Sequence, residues 1–202
     1  MDKIELAIVG CGGMGGRHLL GLNELQASGM CNVELVAACD LRVDNAEYLA
    51  DQAEKLLGRR PLVFKDMAAM VAALPHLDAV DITTDSGSHH RVAPAALELG
   101  LHVLCEKPLA HTIEEGWDIL KAWKKAGKVV QVGTQNRSSS LYKKAKEYVQ
   151  QGLIGDVHYV RAFWYRNSPP NQPAWRYYIP EDTNPQNTDW ERFLGPAPKR
   201  PF

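Results

Sequence analysis

The stretch "ELAIVGCGGMGGRH", residues 5–18, crowds six glycine and alanine positions into the passage from an apolar run to a helix-like one. Leu6 to Val9 reads as a strand and Arg17 to Leu25 as a helix, so the backbone has to turn sharply between them. Gly10, Gly12 and Gly15 satisfy G-x-G-x-x-G directly after a strand and before a helix, the context in which that spacing has physical content. There Gly10 permits the tight turn, Gly12 lets a pyrophosphate approach the backbone, and Gly15 lets helix pack on strand. The helix N-terminus supplies amide donors for anionic charge. Gly13 and Met14 belong to the same turn. A glycine-rich turn of purely structural origin is the competing reading.

Working outward, "IELAIVG", "VELVAACD", "PLVF", "LDAVDITT", "LHVLCEKP" and "KVVQVGTQ" read as strands, near-continuous apolar runs of the kind that parallel sheets bury on both faces. Helical patterns lie between them at about residues 15–28, 43–57, 66–73, 89–99 and 112–126. Strand-helix alternation repeated in this way predicts an α/β fold, a doubly wound parallel sheet with right-handed crossovers. The second strand ends in Asp40, where a carboxylate can accept from both ribose hydroxyls of an adenosine. Its separation from the glycines is a little longer than the usual spacing of roughly 20 residues. A longer first helix accounts for the difference. A carboxylate here repels a 2′-phosphate and favours NAD, while Arg42, two residues on, leaves NADP open. Asp40 as a simple cap of the helix starting near Val43 is compatible with either.

The 202 residues carry a net charge of -1 and no basic stripe, which argues against nucleic acid or an anionic membrane as partner. Cys11, Cys31, Cys39 and Cys105 form no metal-ligating spacing and read as small buried hydrophobes of a reducing compartment. The charged "MDKIE" start does not resemble a signal peptide, and no long apolar window follows. A cytoplasmic protein without a metal is expected.

The fifth strand ends in Glu106-Lys107-Pro108, at the carboxyl edge of the sheet where ligands of such folds bind. Proline bars the strand from continuing. Transfer of a hydride between an alcohol and a nicotinamide needs a group to take or return the hydroxyl proton, and a partly desolvated Lys107 suits that task. A structural ion pair with Glu106 or another carboxylate is the alternative. Beyond about Asn136 the character changes, and eight of the twelve prolines fall after Ser168. The expected division is a dinucleotide-binding domain over 1–136 and the beginning of a second domain over 137–202. In "DVHYVRAFWYRN" Val157, Tyr159, Arg161, Phe163 and Tyr165 alternate as on a half-buried antiparallel strand of a second sheet. One such strand cannot close a domain.

The combination of "GCGGMG" at 10–15, Asp40, "TTDSGSHHRVAPAALELGLHVLCEKPL" at 83–109 and "GTQNR" at 133–137 resembles the Gfo/Idh/MocA oxidoreductases, the group of glucose-fructose oxidoreductase and inositol dehydrogenase. The resemblance runs on through "GLIGDVHYVRAFWY" and the terminal "FLGPAPKRPF". It implies a Rossmann domain followed by the start of an α+β domain with an open antiparallel sheet, and a nicotinamide-dependent oxidation or reduction of a sugar, cyclitol or related polyol. Lys107 would be the catalytic lysine, with Glu106 and Pro108 positioning the nicotinamide ribose. Thr83 and Thr84 would line the cofactor, Ser86 and His89 would lie at the following helix start, and Gln135, Asn136 and Arg137 would face nicotinamide or substrate. His89 as a helix-start hydrogen-bonding residue and Arg137 as a surface charge are the plainer readings.

Two departures stand out. Asp85 and Ser86 occupy the turn where the family usually carries Pro and Asn. Family members also continue into a large sheet domain whose helix supplies an Asp and a His beside the lysine, whereas this sequence ends at Phe202. His111 and His158 do not obviously substitute. Beside the oxidoreductase, one alternative is a truncated dinucleotide-binding module without turnover, and another is a relative that recycles NAD while cleaving glycosides. Trp164, Trp175, Tyr177, Arg166 and Arg176 suit carbohydrate stacking and hydroxyl recognition, or equally an interface or core. Self-association through the completed second sheet is expected.

Overall fold

Six short apolar runs become strands because each finds a parallel neighbour: β1 (Ile4–Val9), β2 (Val33–Cys39), β3 (Leu62–Phe64), β4 (Ala79–Ile82), β5 (His102–Cys105) and β6 (Val130–Val132). The computed structural model describes residues 3–165, 167–169, 171, 179 and 181–202. The strands form one sheet in the order β3-β2-β1-β4-β5-β6, every pair parallel. This is the doubly wound arrangement expected from the alternation, with the topological switch between β1 and β4.

The crossover helices are α1 (Gly13–Ala27), α2 (Val43–Leu57), α3 (Met67–Ala73), α4 (His89–Glu98) and α5 (Ile113–Ala126). Their ends follow local chemistry. Asp66 caps α3 by accepting from Ala69 N at 2.8 Å. Thr112 and Glu115 close a capping box on α5, and Gly127 ends it in the left-handed region at φ 63°. Alternation along the central strands sends side chains into two cores. Ala7, Val9, Val80, Ile82, Val103 and Cys105 pack with Met70, Ala93 and Leu97, while Ile8, Leu35 and Ala38 pack with Leu19, Ala46 and Leu49. Each fully buried Ile or Leu contributes about 1.5–3 kcal/mol relative to exposure, which fixes the sheet and therefore its carboxyl edge.

The chain falls into two compact units, Met1–Ser139 and Ser140–Phe202. The first holds the whole sheet and a single 3-10 turn, Gln135–Ser138, after β6. The second holds α6 (Ser140–Gln150) and α7 (Trp190–Leu194), neither of which the sequence reading anticipated. Around α7, Trp190 stacks on Phe193 at 5.3 Å, meets Phe202 edge-on at 5.3 Å, and donates from Nε1 to Arg200 O at 2.8 Å.

The alternating stretch behaves differently from the expectation. Residues 156–165 form no strand, and Val157, Tyr159, Phe163 and Tyr165 are all exposed. A ladder needs a neighbouring strand to take its N–H and C=O groups, and among the described residues none pairs with this stretch.

Candidate active site

The glycine turn is shaped by what presses against it. Gly10 sits at φ 97°, and a Cβ there would lie 2.5 Å from Thr84 N and 2.7 Å from Thr83 C. Gly15, one turn into α1, would put a Cβ 2.5 Å from Gly10 O and 3.2 Å from Ile8 Cγ2. These two positions therefore exclude any side chain. Gly12 and Gly13 differ, because nothing lies within 4 Å of where their Cβ atoms would be, and no side chain caps α1. The turn offers open space before a helix start whose amides carry no side-chain cap, which fits the approach of an anionic pyrophosphate.

Asp40, at the end of β2, holds this turn from the side. Its Oδ2 accepts from Cys11 N at 2.7 Å and its Oδ1 from Arg42 N at 2.8 Å. Arg42 is itself the N-cap residue of α2, so Asp40 braces the loop before the helix and does not cap it. A carboxylate has about four lone-pair sites, and the two backbone amides use two of Asp40's. Burial, helped by the Asp40 charge, pushes the Cys11 thiol up to about 12, and burial pushes Cys39 up to about 11. Both stay un-ionised beneath the turn.

The loop after β4 closes the other side. Thr83 is buried and donates from Oγ1 to Gly10 O at 2.6 Å, tying β4 to the glycine turn. Thr84 accepts from Ser88 Oγ at 2.8 Å, and Ser86 Oγ pairs with His111 Nε2 at 2.8 Å. His89, only 1% exposed, has Nδ1 2.8 Å from Pro108 O and Nε2 3.3 Å from Thr84 O. With both ring nitrogens turned to backbone carbonyls, it joins the β4 loop to the Lys-Pro turn from underneath.

Lys107 is exposed at the end of β5, followed by a cis bond to Pro108. Among the described residues its ammonium is in no ion pair, so the structural-pair alternative has no support, and the partial desolvation expected of Lys107 is absent in this chain. Glu106 is instead buried, with Oε1 3.3 Å from His18 Nε2 and Oε2 accepting from Lys107 N at 3.1 Å. His18 Nδ1 lies 2.6 Å from Asp81 Oδ2. A Cβ at Gly133 would come within 2.6 Å of Glu106 Oε1, so that glycine makes room for the carboxylate.

His18 and Asp81 escaped the sequence reading. The available signals were a histidine one turn past Gly15 on the sheet-facing side of α1, and a lone carboxylate inside the apolar run "LDAVDITT". His18 and Glu106 share a cleft of about 480 Å³ with Gln135 and Arg137 of the turn after β6. Asn136 lies between those two and is exposed. Trp164 belongs to the second unit, where it is exposed outside any helix or strand. Arg166, Trp175, Arg176 and Tyr177 lie outside the described residues.

The glycine cradle, the braced carboxylate after β2 and the Glu-Lys-Pro turn after β5 thus share one sheet edge. Residues 4–134 match the model of an oxidoreductase family with an NAD-binding Rossmann fold. The chain belongs to the Gfo/Idh/MocA oxidoreductases. Within this family it is 31% identical over 152 residues to the inositol 2-dehydrogenase/D-chiro-inositol 3-dehydrogenase of Lactiplantibacillus plantarum, covering 75% of this chain and 41% of that protein. It is also 31% identical over 164 residues to a glycosyl hydrolase family 109 protein of Akkermansia muciniphila, covering 78% of this chain and 33% of the other. The crystal structure of scyllo-inositol dehydrogenase from Lactobacillus casei with bound NAD(H) and scyllo-inositol superposes with a TM-score of 0.65 at 31% identity, over 77% of this chain and 43% of that one. This Gfo/Idh/MocA chain spans less than half the length of these relatives. Among its described residues no helix is long and apolar enough to cross a membrane.

Proposed function

We propose that this chain is the cofactor-binding part of an NAD-dependent oxidoreductase acting on a sugar, cyclitol or related polyol. The observation that carries the reading is the convergence on one sheet edge of an open Gly12-Gly13 cradle, the Asp40 carboxylate and the exposed Lys107. Residues 1–136 form the dinucleotide domain in this reading, and 137–202 begin the substrate domain.

Gly10, Gly12, Gly13, Met14 and Gly15 would hold the pyrophosphate, Asp40 the adenosine ribose with Arg42 beside it, and Thr83, Thr84, Ser86, Glu106, Pro108 and Gln135 the nicotinamide half. His89 acts beneath that surface by joining its two loops. Bound NAD would supply the hydride acceptor. Lys107, as the free amine, takes the substrate hydroxyl proton while the carbinol hydrogen leaves as hydride, and in the reverse direction its ammonium returns that proton to the alkoxide. Asn136 and Arg137 lie on the substrate side, and Trp164 would reach it from the second unit. A cytoplasmic location and self-association through the exposed apolar residues of 141–165 complete the proposal.

Likeness to a glycosyl hydrolase family 109 protein favours one second reading, in which NAD is reduced and reoxidised within each turnover while a glycosidic bond is cleaved. Titration with NADH followed by its fluorescence tests the shared part of both. Binding should be saturable, and Asp40→Ser should weaken it by roughly tenfold or more while NADPH binding holds or improves. Lys107→Ala should keep NADH binding and, with the remainder of the enzyme present, cost about 10²–10⁴-fold in turnover. Absence of NADH binding by the parent chain, or an unchanged NADH preference in the Asp40 variant, would refute the assignment. Net NADH formation from a polyol distinguishes the dehydrogenase from the recycling hydrolase.

A further inference from the structure

We propose that His18, held as an imidazolium between Asp81 and Glu106, is the positioning residue that fixes the Glu106 carboxylate and, through it, the backbone of Lys107. The proposal rests on the reading of Lys107 as the proton carrier, and adds to it the group that keeps the lysine turn in place.

Three observations carry it. The first is donor counting. His18 presents Nδ1 to Asp81 Oδ2 at 2.6 Å and Nε2 to Glu106 Oε1 at 3.3 Å, so both ring nitrogens face carboxylate oxygens. A neutral imidazole has one donor and would turn a lone pair towards one of the two acids; with both acids ionised, the doubly protonated ring is the form that satisfies both. The second is charge. Asp81 is 2% exposed and Glu106 6%, and two buried carboxylates without a cation are costly to keep ionised. Among the described residues Asp81 Oδ1 has no hydrogen-bond partner, and the bond shown for this side chain's other oxygen is the one to His18. The third is the onward link. Glu106 uses its other oxygen to accept from Lys107 N at 3.1 Å, and Gly133 stands so near Oε1 that any side chain there would collide with it, which leaves the carboxylate a close-fitting slot. The carboxylate can therefore rotate little without losing His18 or the lysine backbone.

The His18 pKa is raised from the ordinary range, chiefly by the Asp81 hydrogen bond, with burial opposing and the charges of Asp81 and Glu106 adding to the rise. The charged groups at its ring are Asp81 on β4 and Glu106 just after β5, and Arg137 lines the same cleft. Cys105 is pushed up to about 12 by burial and stays neutral. The clamp is thus complete at and below the ordinary histidine range and opens as pH rises through the raised value.

The test uses the 202-residue chain with ¹⁵N-labelled histidine and backbone. Both His18 ring nitrogens should stay protonated above the ordinary histidine midpoint of about 6.5. The Lys107 amide signal should titrate in step with them. His18→Gln should speed hydrogen exchange at the Lys107 amide by roughly tenfold or more, while the Val80 and Val103 amides of the neighbouring strands keep their protection. Glu106→Gln, which keeps an acceptor but removes a charge, should lower the His18 midpoint and loosen the same amide, and it carries the test if His18→Gln does not fold. A His18 midpoint in the ordinary range, or a Lys107 amide indifferent to it, overturns the clamp; equal loss of protection at Val80 and Val103 reduces His18 to a general structural role and overturns it too. None of these readouts needs NAD, so failure of cofactor binding sinks the functional reading and leaves the clamp standing.

Discussion

Strand β1 and the stretch 157–165 are both β-rich in composition, and only one of them is a strand. In β1, Ala7 and Ile8 are fully buried because β2 and β4 flank them and helices cover both faces. In 157–165, Tyr159 is 75% and Val160 77% exposed, with no strand beside them among the described residues. A strand pattern is a promise about neighbours; where they exist the backbone polar groups are paired, and where they do not water takes them. The site follows the same division, since everything braced by hydrogen bonds lies on the paired sheet's edge.

The contrast can be broken most forcefully at Gly15. Gly15→Val must displace Gly10 O and Ile8, so it should cost about 3 kcal/mol or more and unfold the sheet unit. Thermal melting followed by circular dichroism would register this, and a variant as stable as the parent would contradict the packing described. A matched pair sharpens the comparison. Val80→Ser should cost about 2–4 kcal/mol, whereas Val160→Ser should stay within about 0.5 kcal/mol. Equal costs in urea unfolding of this chain would mean that 157–165 is paired in solution. The smallest effect is one of pH. Because the folded-state pKa of His18 is raised, the stability it contributes is full below the ordinary histidine pKa and is lost as pH climbs through the raised one. The gap in melting temperature between the parent and His18→Gln should therefore narrow from pH 6 towards pH 9; a constant gap would deny the charge.

Legibility tracked the same physics. Helix and strand limits in the sheet unit came close to those read from periodicity, because capping residues such as Asp66 and Thr112 and turn glycines such as Gly127 are local signals. Gly10, Gly15 and Asp40 were legible for a similar reason, being tied to a motif whose parts lie on consecutive elements. The His18–Asp81–Glu106 group was not, since its members come from α1, β4 and the end of β5 and meet only when the sheet order brings those elements together. Asp81 is instructive here: a charge within an apolar strand announces a partner without naming it. The helix α6 went unread although "SLYKKAKEYVQ" carries an apolar stripe, Leu141, Ala145, Tyr148 and Val149 at helical spacing, so its signal was present in the sequence even though none of its residues is buried.

The cysteines have a practical consequence. Cys11, Cys39 and Cys105 are buried, whereas Cys31 is partly exposed just before β2. That position lies at the amino-terminal end of the sheet, away from the edge that carries the glycine turn and Lys107. A maleimide dye would accordingly attach at Cys31 alone while the chain is folded, giving a single-colour reporter whose label stands clear of the groups it would be used to watch.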